Sequence, residues 1–247
     1  MDRQTETRTP AYRAVIAGHG SFVPPKTLTN DDLARMMDTT AEWIATRTGI
    51  KTRHITTDDE TTAFLATEAA KRALASANLK ARDLDIIIVA TITQEMVFPS
   101  TASFVQRALG ASNAWVFDLA AACSGFIYAL SIVQQFMENG RLTNALVIGA
   151  ETLTKITNWS DRTSCILFGD GAGAVVLKRV DDGQRGIIYS THHSDGDRWE
   201  YLNCQAYGSR HPAARKLDDP NKIFMEIKGR EVYQQAIRRI VETVTEC

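Results

Sequence analysis

The stretch DLAAACSGFIYAL, residues 118–130, joins an apolar segment to an amphipathic helix and places a cysteine at the junction. The preceding residues, Ala114–Asp118, are typical of a strand, and a long helix is predicted from about Cys123 to Glu138. A thiol at a helix start lies near unpaired N–H groups and the positive end of the helix dipole, and both favour the nucleophilic thiolate. The amide of Cys123 is also placed to help hold the oxyanion of a tetrahedral intermediate. The alternative is a small structural cysteine packed under a helix, because free cysteines are commonly buried.

Strand and helix patterns alternate on both sides of this junction. The predicted strands before residue 181 are Tyr12–Gly18, Asp85–Thr91, Ala114–Asp118, Ala145–Ala150 and Ala172–Val180. The predicted helices run from Asn30 to Met37, Ala41 to Gly49, Thr61 to Leu79, about Pro99 to Gly110, and Cys123 to Glu138. This alternation indicates an α/β fold with largely parallel strand pairing.

Capping signals mark the starts of the first two helices. Asn30 is predicted to cap the first, with Asp31 and Asp32 near its positive end. Thr39 and Glu42 have the spacing of a capping box for the second helix.

A polar, glycine-containing segment at residues 181–186 predicts a boundary between two halves of the chain. We therefore predict a flexible tail over residues 1–11, a first half over residues 12–185 and the start of a second half over residues 186–247. The second half is predicted to contain the strands Ile187–Thr191 and Ile223–Ile227 and the helix Gly229–Cys247. The apolar face of this helix runs almost to the last residue, which predicts either docking on the core or a chain that has been cut short.

Composition excludes several functional classes. The chain has 247 residues, a net charge of -1 and no lysine or arginine run, so a general nucleic-acid binder is not expected. Its apolar stretches are too short to span a bilayer and its first ten residues lack a secretory apolar segment, which together predict a cytoplasmic protein. The four cysteines, at 123, 165, 204 and 247, have no metal-ligand spacing, so no metal site is expected. The run Gly169–Gly173 lacks both the GxGxxG spacing and a P-loop lysine, so phosphate binding is not expected there either.

Residues 118–130 resemble the nucleophile region of β-ketoacyl-acyl-carrier-protein synthase III, a thiolase-fold condensing enzyme. Further blocks match that family in order and spacing: DTTAEWIATRTGIKTRH (38–54), FPS (98–100), Asp161-Arg162, FGDGAGA (168–174) and GREVY (229–233). The resemblance implies a thiolase-like layered αβαβα fold, with the first half complete and the second half truncated.

The resemblance also implies a reaction. Members of the family load a small acyl group from acyl-CoA onto their cysteine, which corresponds to Cys123 here, and condense it with malonyl-acyl-carrier protein, releasing carbon dioxide. It implies a homodimer and no cofactor besides the acyl-CoA substrate.

Seven further residues match family site positions. Trp43 and Arg47 match residues that hold the adenine end of CoA, Arg162 matches an arginine across the adenine, and Thr39 matches another CoA contact. An indole ring can stack on a purine, and a guanidinium can donate hydrogen bonds to the ring nitrogens of the purine and to the phosphates of CoA. Taken without the resemblance, Trp43 is a helix anchor, Arg47 a solvated charge and Thr39 a cap. Thr163 departs from the glycine common at its position, which weakens the case for a backbone contact there. The resemblance places Phe98, Leu153 and Phe168 at the acyl pocket, the first across a dimer interface, with core packing as the alternative.

The condensing step of the family also uses a histidine and an asparagine from the second half. Strings of the type Pro-His-Gln-Ala-Asn and Gly-Asn-Thr-Ser do not occur in these 247 residues. None of the five histidines (His19, His54, His192, His193, His211) is assigned the missing role. We expect a fragment of a longer protein, with a naturally short paralogue as the alternative.

Two other functions stay open at this point. One is acyl transfer from acyl-CoA to a hydroxyl or amine in secondary metabolism. The other is a non-catalytic truncated subunit that binds CoA or a partner without turnover.

Overall fold

A computed structural model describes residues 11–181 and 185–246, and these residues divide into two units. The first unit comprises the chain up to Phe22 together with Thr61–Glu151 and Gly171–Ser190. The second comprises Val23–Glu60, Thr152–Asp170 and the chain from Thr191 onward.

The first unit is built on a five-stranded sheet of order β1-β7-β6-β4-β5. Its strands are β1 (Arg13–Phe22), β4 (Ile86–Ala90), β5 (Trp115–Leu119), β6 (Asn144–Thr152) and β7 (Asp170–Val180). Strand β4 runs parallel to both β5 and β6, as the sequence predicts, whereas β1 is antiparallel to β7. The sheet is therefore mixed.

Helices cover both faces of this sheet: α3 (Thr62–Ser76), α4 (Thr101–Leu109) and α5 (Gly125–Glu138). All five residues of β4 are buried. Ile87 and Val89 pack into the cluster that contains α3 and α4, and Ile86 and Ile88 into the cluster that contains α5. The continuous apolar run of β4 thus reflects a strand covered on both sides, which confirms its prediction.

Two glycines let α3 lie directly on β1. A Cβ on Gly18 would stand 2.4 Å from Ala77 N, and a Cβ on Gly20 would stand 2.4 Å from Ala73 N. These contacts are to the backbone of α3 and of its C-cap residue Ala77, so no side-chain movement would relieve them.

The described residues of the second unit form two small antiparallel ribbons and three α-helices, besides short 3-10 turns. Strand β2 (Thr27–Thr29) pairs with β3 (Thr52–His54), and β8 (Leu202–Cys204) pairs with β9 (Met225–Ile227). The helices are α1 (Asn30–Met36), α2 (Ala41–Thr48) and α6 (Gly229–Glu246). A small apolar cluster of Leu33, Ile44, Cys165 and Ile166 holds α1 and α2 against the segment around residue 165.

The predicted caps of α1 and α2 are wrong by one residue. Thr29, not Asn30, caps α1, in a reciprocal pair with Asp32, because Asn30 turns its side chain inward. Thr40 caps α2 by accepting from Trp43 N, while Thr39 Oγ1 is buried with no hydrogen-bond partner among the described residues. Adjacent threonines offer equivalent hydroxyls, and only the three-dimensional path of the chain selects one.

The predicted strand Ile187–Thr191 is also wrong. Ile187 N donates to Ala14 O at 2.9 Å, but no ladder continues from this bond. The short strands β2, β3 and β8 are not predicted from the sequence, because segments of three residues are too short to show periodicity.

Helix α6 forms as predicted, and its apolar residues are exposed. Tyr233, Ile240 and Val244 are 68%, 62% and 70% exposed. In the described part of the chain, no helix is long and apolar enough to cross a membrane. The predicted tail over residues 1–11 lies, except for its last residue, outside the described residues, and so do residues 182–184 of the predicted boundary. The division at residue 185 stays a prediction.

Candidate functional site

Cys123 lies in a sharp connection between β5 and α5. Ala122–Ser124 form a single 3-10 turn, and the α-helix begins at Gly125, two residues later than predicted. Ala122 has a φ of 45°, in the left-handed region, which costs a non-glycine residue about 1–2 kcal/mol. The turn leaves the Cys123 thiol exposed to solvent. Backbone strain at this position therefore accompanies the presentation of the thiol at the strand end.

Gly125 allows α5 to begin close to the sheet. A Cβ at this residue would stand 3.2 Å from Ala90 Cβ at the end of β4. The small side chains of Ala90 and Gly125 therefore determine how closely the turn containing Cys123 approaches the strand ends.

A cavity of ≈ 180 Å³ opens beside this turn, at the carboxyl ends of the parallel strands β4 and β6. Its wall consists of small residues apart from one aromatic ring and one acid: Ala90, Ala122, Phe126, Gly149, Ala150, Glu151, Gly171, Ala172 and Gly173. Carboxyl ends of parallel strands are a common location for ligand sites in α/β proteins. Because Ala122 immediately precedes Cys123, the cavity adjoins the candidate nucleophile.

Glu151 ties the loop after β4 to the end of β6. Its carboxylate accepts from Ile92 N at 2.9 Å, from Thr93 N at 3.2 Å and from the hydroxyls of Thr91 and Thr93. Burial raises the pKa of Glu151, and these four hydrogen bonds partly oppose the rise. Sequence reasoning missed Glu151, although an acid at the end of a buried strand is a recognisable signal.

Asp118 links β5 to the start of α4. Its two carboxylate oxygens accept from Thr101 N at 2.6 Å and Ala102 N at 2.8 Å, while Ser100 makes no capping bond of its own. The strand that leads to Cys123 is therefore hydrogen-bonded, through Asp118, to the first turn of α4, the helix that follows the loop containing Phe98.

In the second unit, two guanidinium groups lie close to the Trp43 ring. Arg162 Cζ is 5.0 Å from the centroid of the indole ring, and Arg47 Cζ is 5.9 Å from it. Arg162 Nη1 also donates to Asp38 O at 2.8 Å. The structure thus brings together three of the four residues predicted to contact CoA. Thr39, the fourth, lies at the start of the same helical region with its hydroxyl buried.

The three predicted pocket residues lie in different surroundings. Phe98 is 81% exposed, and Leu153 and Phe168 are half-buried. Near the latter two, Asp170 accepts from Thr56 N and Thr154 N, at 2.7 and 2.9 Å, and from both threonine hydroxyls. Asp170, the acid within the glycine-rich run at residues 169–173, is therefore a buried structural carboxylate.

Two other thiols are poorer nucleophiles than an exposed cysteine, and two of the five histidines are bonded to other groups. Burial raises the pKa of the Cys165 and Cys204 thiols, and Cys247 lies outside the described residues. His54 Nδ1 is 2.6 Å from Pro24 O, and His193 pairs with Glu246. Among the described residues, no group of three or more His, Cys, Asp and Glu side chains could hold a metal ion.

Known proteins match this chain over most of its length. A family model described as 3-oxoacyl-[acyl-carrier-protein (ACP)] synthase III matches residues 117–196. The β-ketoacyl-[acyl-carrier-protein] synthase III of Caldanaerobacter subterraneus subsp. tengcongensis is 56% identical over 227 residues, covering 91% of this chain and 68% of the relative.

Two solved structures extend the comparison to the fold. The 3-oxoacyl-[acyl-carrier-protein] synthase III of Aquifex aeolicus VF5 has a TM-score of 0.85 and 44% identity, over 94% of this chain and 70% of that one. The priming β-ketosynthase of the R1128 polyketide biosynthetic pathway has a TM-score of 0.84 and 32% identity, over 96% and 70% of the two chains. These similarities confirm the predicted α/β fold of thiolase type.

Proposed function

The chain belongs to the β-ketoacyl-acyl-carrier-protein synthase III family, and from this premise we propose that Cys123 is the residue that accepts the acyl group. Enzymes of this family are acyl-transferring condensing enzymes that initiate fatty-acid synthesis. The observation that carries the proposal is the exposed thiol on a strained turn, beside a cavity at the carboxyl ends of β4 and β6.

The loading step is a thioester exchange between acyl-CoA and the protein. The Cys123 thiolate attacks the acyl carbonyl, the oxyanion accepts hydrogen bonds that include the Cys123 amide, and the CoA thiolate leaves. The resemblance supports Leu153 and Phe168 as residues of the acyl pocket. The exposed Phe98 supports a contact with the partner subunit's pocket in a homodimer.

The adenine end of CoA is proposed to bind at Trp43, Arg47, Arg162 and Thr39. The pairing of an indole face with two guanidinium groups supports this assignment, since both groups stack on purines and the cations attract phosphates.

In the second step the acyl group would be transferred to malonyl-acyl-carrier protein. Decarboxylation of the malonyl group leaves a thioester enolate, whose carbon attacks the acyl carbonyl and returns the Cys123 thiolate. Cys123 and the proposed CoA contacts serve the loading step, whereas the resemblance assigns stabilisation of the enolate to a histidine and an asparagine of the second half.

Loading is tested with short-chain acyl-CoA and intact-mass spectrometry. The protein is expected to gain one acyl group, and Cys123→Ala to gain none. Cys165→Ala and Cys204→Ala are matched controls that should label normally, because the raised pKa values of the buried Cys165 thiol and the half-buried Cys204 thiol make both poor nucleophiles. Labelling of Cys123→Ala would refute the assignment.

A second candidate is priming of polyketide rather than fatty-acid synthesis, favoured by the similarity to the R1128 priming β-ketosynthase. Acyl transfer to a hydroxyl or amine is distinguished from both by release of carbon dioxide from malonyl-acyl-carrier protein, which accompanies condensation only.

A further inference from the structure

Arg53 is a buried cation in the second unit that the loading mechanism does not use. The residue is 3% exposed, and it donates from Nη1 to Asn30 Oδ1 and from Nη2 to Ile166 O, each at 2.7 Å. Both acceptors are uncharged, and burial lowers the pKa of Arg53 below its ordinary value. Among the described residues no carboxylate pairs with Arg53, and a buried arginine without one is costly, which points to a role that an apolar residue would not fill.

Asn30 extends this bond network to helix α2. Its Nδ2 donates to Ile50 O at 2.8 Å and approaches Ala41 O at 3.5 Å. Ala41 is the first residue of α2, and Ile50 lies two residues beyond its end. The Asn30 amide therefore holds both ends of the helix that carries Trp43 and Arg47.

The other end of the network reaches the segment that carries Arg162. Ile166 is four residues beyond Arg162, and Ser164, Cys165 and Ile166 are all buried. Arg162 itself is exposed, and its guanidinium is placed over the indole ring by the position of its backbone together with the bond from Nη1 to Asp38 O.

We propose that Asn30 and Arg53 are positioning residues that set the separation between Trp43 and Arg162 for the nucleotide end of CoA. The inference rests on the proposed function, because it takes the Trp43–Arg162 pair as the CoA subsite. The planar guanidinium of arginine holds two donors in fixed directions. One points to Asn30, which contacts both ends of α2, and the other points to Ile166 in the segment that carries Arg162. Lysine carries the same charge but cannot reproduce this geometry.

The test compares Arg53→Lys and Asn30→Ser with the unaltered protein in the rate of Cys123 acylation. Acetyl-CoA and acetyl-pantetheine, which lacks the nucleotide, serve as donors. Both variants are expected to raise the half-saturating acetyl-CoA concentration about tenfold, less than the roughly hundredfold effect that a misplacement of a catalytic group by about 1 Å can have. The maximal acylation rate and the kinetics with acetyl-pantetheine should stay unchanged. Arg35→Lys, an exposed arginine on α1, is the matched control and should behave as the unaltered protein.

Calorimetric binding of CoA measures the same effect without requiring acylation, and thermal unfolding shows whether each variant is folded. Asn30→Ser is the smaller change and decides the question if Arg53→Lys does not fold. An unchanged half-saturating concentration, or an equal change with both donors, would overturn the inference. Trp43→Ala distinguishes failure of the subsite assignment from failure of the positioning role. If Trp43→Ala leaves CoA binding intact, the subsite assignment fails. If Trp43→Ala weakens CoA binding but Arg53→Lys and Asn30→Ser do not, only the role of Asn30 and Arg53 fails.

Discussion

The buried carboxylate of Asp170 is expected to be one of the main stabilising groups of the second unit. It is 5% exposed and accepts four hydrogen bonds, from the backbone N–H and hydroxyl of both Thr56 and Thr154. Asp170→Asn keeps the shape of the side chain but replaces one oxygen with an NH₂ group. The hydroxyls can rotate to accept from this group, whereas the two backbone N–H groups cannot.

The magnitude follows from the geometry. Thr154 N is bonded to Oδ1 and Thr56 N to Oδ2, so either orientation of the amide leaves one N–H, buried at Thr154 or partly buried at Thr56, facing a donor. An unsatisfied buried donor costs about 1–3 kcal/mol, and loss of the charge weakens the remaining bonds. We therefore expect Asp170→Asn to lower the free energy of unfolding by about 2–4 kcal/mol.

Urea unfolding followed by circular dichroism measures this change. Asp218→Asn is the matched control, because Asp218 is exposed and pairs with Lys222 on the surface, and no measurable shift is expected. An unfolding midpoint of Asp170→Asn within error of the unaltered protein would refute the reasoning, since it would mean that the four bonds contribute nothing net.

Two further predictions concern the first unit. Gly18→Ala should lower the free energy of unfolding by about 3 kcal/mol or more, because its Cβ would stand 2.4 Å from Ala77 N. Gly173→Ala, in the same sheet with nothing within 4 Å of the new Cβ, should be neutral or slightly stabilising, and equal urea midpoints for the two would contradict the packing argument. The raised pKa of Glu151 predicts a pH effect. Its contribution to stability is full below its ordinary value of 4.5 and is lost as pH rises through the higher folded value. The difference in unfolding free energy between the unaltered protein and Glu151→Gln should therefore fall from about pH 4.5 toward neutrality, and a difference independent of pH would contradict it.

Local pattern is sufficient to predict much of the first unit. The all-buried strand β4, the helices α3, α4 and α5 and the position of Cys123 between a strand and a helix follow from neighbouring residues alone. These features depend on periodicity and capping within about twenty residues, so they can be predicted from local sequence patterns. The predicted strand at Ile187–Thr191 is wrong because a single hydrogen bond from Ile187 to Ala14 does not make a ladder.

The long-range polar contacts cannot be predicted from such local patterns. Arg53 meets Ile166 across 113 positions, Asp170 meets Thr56 across 114, and Glu151 meets Ile92 across 59. Polar side chains of this kind look the same in a sequence whether they face solvent or a buried backbone.

By itself, the amino-acid sequence determined that Cys123 lies between a strand and a helix in a chain of alternating strands and helices, with a resemblance that assigns it an acyl group. Only the tertiary structure decided that the thiol is exposed on a left-handed turn at Ala122, beside a small cavity, and that the buried Arg53 bonds to Asn30 and Ile166. The physical reason is that helix and strand formation depends on near neighbours, whereas burial and hydrogen-bond partners depend on which distant segments the fold brings together.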